Sequence, residues 1–139
     1  MKKNLIWKIS KIVLPQHADH AGVMWHGTYL NWLEESRINA LSEVGVNYFD
    51  LTKKGYELPL INASMKYILP LYLGEKITIE SVFNIGKSPK INIQSKFINK
   101  DNNVLTLAEV NLVLIDKIKF SIIKKRPDFL SKAFRKLNG

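Results

Sequence analysis

Apolar and polar positions alternate over residues 5–14. Leu5, Trp7, Ile9 and Val13 fall on one face and Lys8 and Ser10 on the other, so the segment is expected to be a strand, stopped by Pro15. Residues 15–27 lose that order. They hold Pro, Gly and all three histidines and read as a loop. Over 28–44 the period changes to that of a helix. Tyr29, Leu33, Ala40 and Val44 centre an apolar stripe with Leu30 and Leu41 beside it. Asn31, Glu35, Asn39 and Ser42 lie opposite, and Gly45 stands where a C-terminal cap belongs. Arg37 falls inside the stripe between Leu33 and Leu41. A charge there needs a partner, and Glu34, one turn earlier, is the nearest by spacing.

A polar stretch, 47–57, precedes a run of strands. Residues 58–69 are apolar and end at Pro70. Residues 76–85 alternate through Ile77, Ile79, Phe83 and Ile85, and 90–99 through Ile91, Ile93 and Phe97. Residues 104–115 are apolar on both faces, which predicts a buried central strand. Gly86-Lys87-Ser88-Pro89 and Lys100-Asp101-Asn102-Asn103 have hairpin-turn chemistry. Residues 120–123 suit a short strand. Pro127 opens a final amphipathic helix through Phe129, Leu130, Ala133, Phe134 and Leu137. The expected fold is therefore α+β, an antiparallel sheet with a long helix on one face. One helix cannot cover both faces of such a sheet, and a second copy of the chain is the economical cover.

The 139 residues give room for one domain, taken as 1–139. No cysteine is present, which excludes a disulfide scaffold, a thiolate nucleophile and any Cys-ligated metal. No apolar run reaches the roughly 20 residues of a membrane helix. The N-terminus lacks the apolar core of a signal peptide, so a cytoplasmic protein without a membrane partner is expected. The 21 Lys and Arg against 12 Asp and Glu leave a net charge of +9. That balance suits nucleic acid, an anionic membrane or a phosphorylated carrier such as coenzyme A. A Lys-, Asn- and Ile-rich composition, as an AT-rich coding sequence produces, explains the surplus equally well. The basic residues are scattered, without a zinc-finger or RNA-recognition signature, so no nucleic-acid partner is expected.

Common nucleophile and nucleotide motifs are absent: no G-x-S-x-G, P-loop, G-x-G-x-x-G or H-E-x-x-H. The stretch that carries chemistry is residues 17–29, with one acid, three imidazoles and two glycines directly before the helix. A helix start offers free N–H groups and partial positive charge, able to hold a developing oxyanion. Asp19 has the chemistry of a base or nucleophile there. A purely structural role, capping the helix and closing a turn, fits the spacing as well.

The pattern Asp19-x-Ala21-Gly22-Val23-x-Trp25-His26-x-x-Tyr29-Leu30-x-Trp32-x-Glu34-x-x-Arg37 resembles the signature of hotdog-fold acyl-CoA thioesterases, in particular the 4-hydroxybenzoyl-CoA thioesterase family. Asn62-Ala63-Ser64, Pro70-Leu71-x-x-Gly74-Glu75 and Gly86-Lys87-Ser88 continue the resemblance in matching order. It implies a hotdog fold, five or six antiparallel strands wrapped around one long helix. It also implies hydrolysis of an acyl-CoA thioester by a homodimer or homotetramer. Asp19 corresponds to the family's catalytic carboxylate, as nucleophile or general base, and the backbone N–H of His26 to the group that polarises the carbonyl. Gly22, Trp25 and Tyr29 become substrate-contact candidates. Lys87 and Ser88 correspond to a contact with coenzyme A phosphates, across a dimer interface. No cofactor is implied, since coenzyme A is part of the substrate.

The chain departs from many relatives at His17-Ala18-Asp19, where they have Asp-x-Asp. A charged His17 would favour an ionised Asp19, and a neutral one could donate to it. A metal held by His17, His20, His26 and Asp19 matches no standard spacing. The alternative function is a non-catalytic acyl-CoA-binding module, against which the retained Asp19 argues. Dehydratases of the same fold use a His-plus-acid arrangement that this loop does not clearly match. Lys124, Lys125 and Arg126 could pair with the 3′-phosphate of coenzyme A, but read rather as surface charge. The aromatic cluster Trp25, Tyr29 and Trp32 leaves both aromatic and fatty acyl groups open.

Overall fold

The alternating segments pair as hairpins in the computed structural model, which describes residues 5–138. The termini of a 1–139 domain and the N-terminal basic residues lie outside that range. In chain order the elements are β1 (Trp7–Ile12), α1 (His26–Glu43), α2 (Tyr48–Lys53), β2 (Tyr56–Glu57), β3 (Leu60–Tyr67), β4 (Lys76–Ile85), β5 (Lys90–Asn99), β6 (Val104–Val113), β7 (Ile115–Asp116), β8 (Ser121–Ile122) and α3 (Asp128–Asn138). The main sheet has five strands in the order β1-β4-β5-β6-β3, every pair antiparallel. A small second sheet joins β2, β7 and β8. This is the expected α+β arrangement, with the additional strands set apart.

Period-2 alternation puts Ile77, Ile79 and Phe83 of β4, Ile91, Ile93 and Phe97 of β5, and Val110 and Leu112 of β6 on one buried face. Helix α1 lies against that face. Its Trp32 stacks on Phe97 with ring centroids 6.5 Å apart. The Ser36 hydroxyl meets that of Ser81 at 3.2 Å, and Ser81 meets Ser95 at 2.7 Å. These three small residues let helix and sheet approach closely while satisfying one another's hydroxyls.

The serine chain explains one departure from the sequence reading. The buried arc of α1 is shifted toward Trp32 and Ser36, and Leu30 is left 44% exposed. An apolar count could not place a buried serine whose partners lie on another strand. The helix also begins at His26 rather than at residue 28. Arg37 retains 12% of its side-chain exposure, and its Nη2 lies 3.9 Å from Glu34 Oε2. Burial pushes its pKa down, and the Glu34 charge works the other way.

Four further readings are corrected. The polar stretch 47–57 contains α2, capped by Asn47, whose Oδ1 accepts from Phe49 and Asp50 N–H at 2.9 and 3.3 Å. The central strand is β5, not residues 104–115, and that segment breaks at Leu114, with Ile115 opening β7. The outer face of β6 carries Glu109 and Asn111 in a row of amides: Asn84 donates to Asn92, Asn92 to Asn111, and Asn111 to Asn62. Hydrogen bonds along this row satisfy polar groups where a fully apolar surface was expected. Phe120 lies in the turn before β8 rather than in a strand.

Helix α3 follows Pro127 as expected and buries Leu130, Ala133, Phe134 and Leu137. Trp7 Nε1 donates to its Leu137 carbonyl at 2.9 Å. Asn138 brackets Ile85, accepting from its N–H at 2.9 Å and donating to its carbonyl at 2.6 Å. The apolar 58–69 segment becomes β3, a sheet edge paired only to β6 and exposed at every position but one. Leu60, Ile61 and Tyr67 stand open on it.

Candidate active site

The loop before α1 is a miniature hairpin. Ala18 bridges Met24, the Asp19 N–H donates to the Val23 carbonyl at 2.8 Å, and the Gly22 N–H donates to the Asp19 carbonyl at 3.0 Å. Gly22 closes it at φ +77, a conformation that L side chains rarely adopt. The strap 71–73 holds it in place: Met24 N–H donates to the Leu71 carbonyl at 2.7 Å and Leu73 N–H to that of Gly22 at 3.0 Å.

This turn fixes the Asp19 carboxylate. Its Oδ1 accepts from the Ala21 N–H at 2.8 Å and the Val23 N–H at 3.2 Å. Across a cavity of about 400 Å³, lined also by Trp25, Tyr29 and the Ile68–Leu69–Pro70 wall, lies His26, the first residue of α1. Among the described residues the amides of His26 and Gly27 have no hydrogen-bond acceptor. One cavity therefore holds a carboxylate and the unsatisfied N–H end of an 18-residue helix.

The structure brings Asp19, Trp25, His26 and Tyr29 to this cavity, with Gly22 shaping the loop that carries Asp19. Tyr29 is 3% exposed, its ring edge-on to Tyr67 at 5.0 Å and tilted on Phe97 at 5.3 Å. Burial pushes its phenol pKa up. The Thr106 hydroxyl works the other way without completing a hydrogen bond of good geometry. His17 turns away from Asp19. Its Nδ1 accepts the Leu14 N–H at 3.1 Å, which requires that nitrogen unprotonated, and its ring meets Trp32 edge-on. It makes no hydrogen bond or ion pair with Asp19. Among the described residues no three His, Asp or Glu side chains are grouped closely enough to hold a metal.

Lys87 and Ser88 stand elsewhere within the protomer. At the cavity's end of the sheet Ile79, Phe97, Thr106 and Tyr67 are in register; at the other end Ile85, Ile91, Leu112 and Leu60 are. That separation along the strands is about 20 Å, and the Lys87 turn lies beyond it. Arg126 is tied into the same turn, donating to the Gly86 carbonyl at 2.8 Å and the Ser88 carbonyl at 2.6 Å, so it is not a free surface charge.

Two features were not singled out from the sequence. Ile68 and Leu69 were read only as the end of a strand, and Pro70 as its stop and the start of the following motif. Gly27 has a packing role that only the structure reveals, because a Cβ there would overlap the Trp25 ring. Gly27→Ala is expected to push that half-exposed ring across the cavity mouth. KM should rise several-fold and the thermal midpoint should move by no more than about 4 °C. Steady-state kinetics beside a melting curve checks this.

Other depressions lack this pairing. One of about 480 Å³ on the outer sheet face is lined by Glu80, Lys96, Glu109 and Lys66, with Glu80 already paired to Lys8 at 3.2 Å. Another, about 610 Å³, lies beside Lys11, Lys76, Lys100 and His17. Neither sets a carboxylate against free helix amides.

Comparison with known proteins identifies the family and the fold. The profile of the Thioesterase-like superfamily matches residues 13–134. A Synechocystis protein, sll0410, provisionally named an esterase, is 31% identical over 90% of this chain and 76% of its own length. The DHNA-CoA thioesterase of Staphylococcus aureus superposes with a TM-score of 0.85 at 22% identity, covering 94% of this chain and 89% of that one. A second S. aureus protein, solved in complex with CoA, gives 0.88 at 14% identity over 99% and 87%.

Proposed function

The chain belongs to the thioesterase-like superfamily and is a thioester hydrolase of the hotdog fold, and from that premise we propose that it hydrolyses an acyl-CoA at the Asp19 cavity. The observation that carries this reading is the carboxylate, gripped by two N–H groups, in one cavity with His26, the first residue of α1, whose amide has no acceptor among the described residues. As the thioester carbonyl carbon is attacked, its oxygen gains negative charge. The His26 amide and the α1 dipole stabilise that charge. Asp19 either attacks directly, forming an anhydride that water then opens, or removes a proton from the attacking water. In both routes the C–S bond breaks and coenzyme A leaves as a thiolate, which needs no strong general acid. Single turnover in ¹⁸O water separates them, because only direct attack can place the label in Asp19.

The cavity's size and its Trp25, Tyr29 and Tyr67 rings favour an aromatic acyl group over a long aliphatic one. A panel of acyl-CoAs read by thiol release tests this, with kcat/KM expected to be at least about tenfold higher for aromatic substrates. Binding of coenzyme A without thiol release from any substrate would instead assign a binding module.

Open on one side, Asp19 is too wet for efficient electrostatic catalysis. We infer a homodimer in which β3 pairs antiparallel with its counterpart, covering that exposed edge. The two-fold then reverses the partner sheet, so the partner's β4–β5 turn comes to the end of the assembly that holds this Asp19. Lys87 and Ser88 would in that way serve the neighbouring site. Lys87→Ala should raise KM for an acyl-CoA several-fold, less at high salt, with kcat nearly unchanged. It should leave KM for a short acyl thioester lacking the nucleotide unchanged. Equal losses on both substrates would remove Lys87 from phosphate binding.

A further inference from the structure

The two most exposed large apolar side chains among the described residues stand on one turn. Ile118 is 85% and Phe120 84% exposed, and Ile122 follows at 52%. The turn, 117–120, joins β7 to β8 in the small sheet, with Ile115 opposite Ile122 and Asp116 opposite Ser121. Its base is rigid. Asp116 Oδ1 accepts from the Ile118 and Lys119 N–H groups at 2.9 and 3.1 Å. The Lys117 N–H donates to the Gly55 carbonyl at 2.8 Å, and Ile123 packs on the core. Phe120 sits at φ +51, where a glycine or asparagine would be unstrained and a bulky aromatic is an outlier. A turn that served only to reverse the chain has no use for an isoleucine and a left-handed phenylalanine in water.

Above the Asp116 base, the charges along the chain from 117 to 126 are of one sign. Residues 117–126 contain Lys117, Lys119, Lys124, Lys125 and Arg126 and no acid. Lys117 is 3.9 Å from Glu57 and Arg126 is bound to the β4–β5 turn. Lys119, Lys124 and Lys125 make no ion pair among the described residues. The same hairpin of a second copy is a poor occupant, since two such hairpins would bring like charges together. The tip lines none of the cavities described above and projects Ile118 and Phe120 into solvent.

We propose that the β7–β8 hairpin is a membrane-surface anchor. It inserts Ile118 and Phe120 into the headgroup boundary of an anionic bilayer while Lys119, Lys124 and Lys125 meet lipid phosphates. Apolar tips gain by leaving water, and each nearby cation adds attraction to an anionic leaflet. The sequence gives no membrane span, and no helix among the described residues is long and apolar enough to be one. That excludes crossing by a helix and leaves surface insertion untouched. The proposal is independent of which acyl group is hydrolysed.

The test is co-sedimentation of the full chain with vesicles of phosphatidylcholine containing about a third phosphatidylglycerol, beside vesicles of phosphatidylcholine alone. The wild type is expected on the anionic vesicles and not on the neutral ones, with binding falling as salt rises. Ile118→Ser with Phe120→Ser should weaken partitioning at least about tenfold. Its thermal midpoint and its turnover of a water-soluble thioester should be unchanged, because the hairpin does not line the Asp19 cavity. Lys119→Ala with Lys124→Ala and Lys125→Ala alters only exposed side chains and should weaken partitioning comparably. The proposal is overturned if the wild type ignores anionic vesicles, or if the serine variant binds them as well as the wild type. It is also overturned if the serine variant changes the oligomeric state without lipid, since the hairpin would then be a contact between copies.

Discussion

Asp19→Asn is expected to lower kcat about 100-fold or more while coenzyme A still binds. The asparagine side chain is nearly isosteric, and its oxygen can still accept the Ala21 and Val23 N–H groups that shape the loop. The turn 19–23 should therefore keep its form, and the thermal midpoint should stay close to that of the wild type. What disappears is the negative charge and the basic oxygen that either attacks the thioester or takes a proton from water. Such a contribution exists only in the transition state, so it should appear in kcat and leave affinity for coenzyme A intact. Thiol release in steady state, with calorimetry for coenzyme A, separates the two. A variant that turns over at near the wild-type rate would remove Asp19 from the chemistry and with it the proposed mechanism.

The other large effect concerns the open edge. Ile61→Asp with Ser64→Asp would place four carboxylates in a β3–β3 pair, where facing like charges oppose association. Both positions are exposed in the protomer, so the fold itself should tolerate them. Light scattering should find a dimer or larger assembly for the wild type and a monomer for the variant at micromolar concentration. Activity should fall roughly 100-fold, because the Asp19 cavity then opens to water and the partner's Lys87 turn is absent. A monomeric wild type, or a variant monomer of full activity, would rule out the shared site.

Much of the strand layout was legible because a period of two over eight to ten residues leaves few ways to bury one face. The β4 and β5 boundaries agree with the segments read as 76–85 and 90–99. The loop before α1 was legible for another reason. Acid, histidines and glycines lose all periodicity there and are followed by an unbroken helical period, so a polar cluster at a helix start could be anticipated. Asp19 and His26 indeed line one cavity.

What was not legible depends on partners distant in sequence. Ser36 looks polar until Ser81 and Ser95 are set beneath it. The row Asn84, Asn92, Asn111 and Asn62 draws one residue from each of four strands, so no local window contains it. Gly27 reads as a flexible loop glycine until the Trp25 ring lies over it.

By itself, then, the sequence determined the α+β class, the antiparallel hairpins, the position of the long helix and the loop that carries Asp19. Those follow from short-range alternation and from turn and cap chemistry, which act between residues a few positions apart. Only the tertiary structure decided that β5 is central and β3 is the open edge, that His17 faces Trp32 rather than Asp19, and that Lys87 lies at the far end of its own sheet. Strand order and site assembly depend on which distant segments share a face. The alternation of a strand records that it has a buried side and is silent about its neighbour.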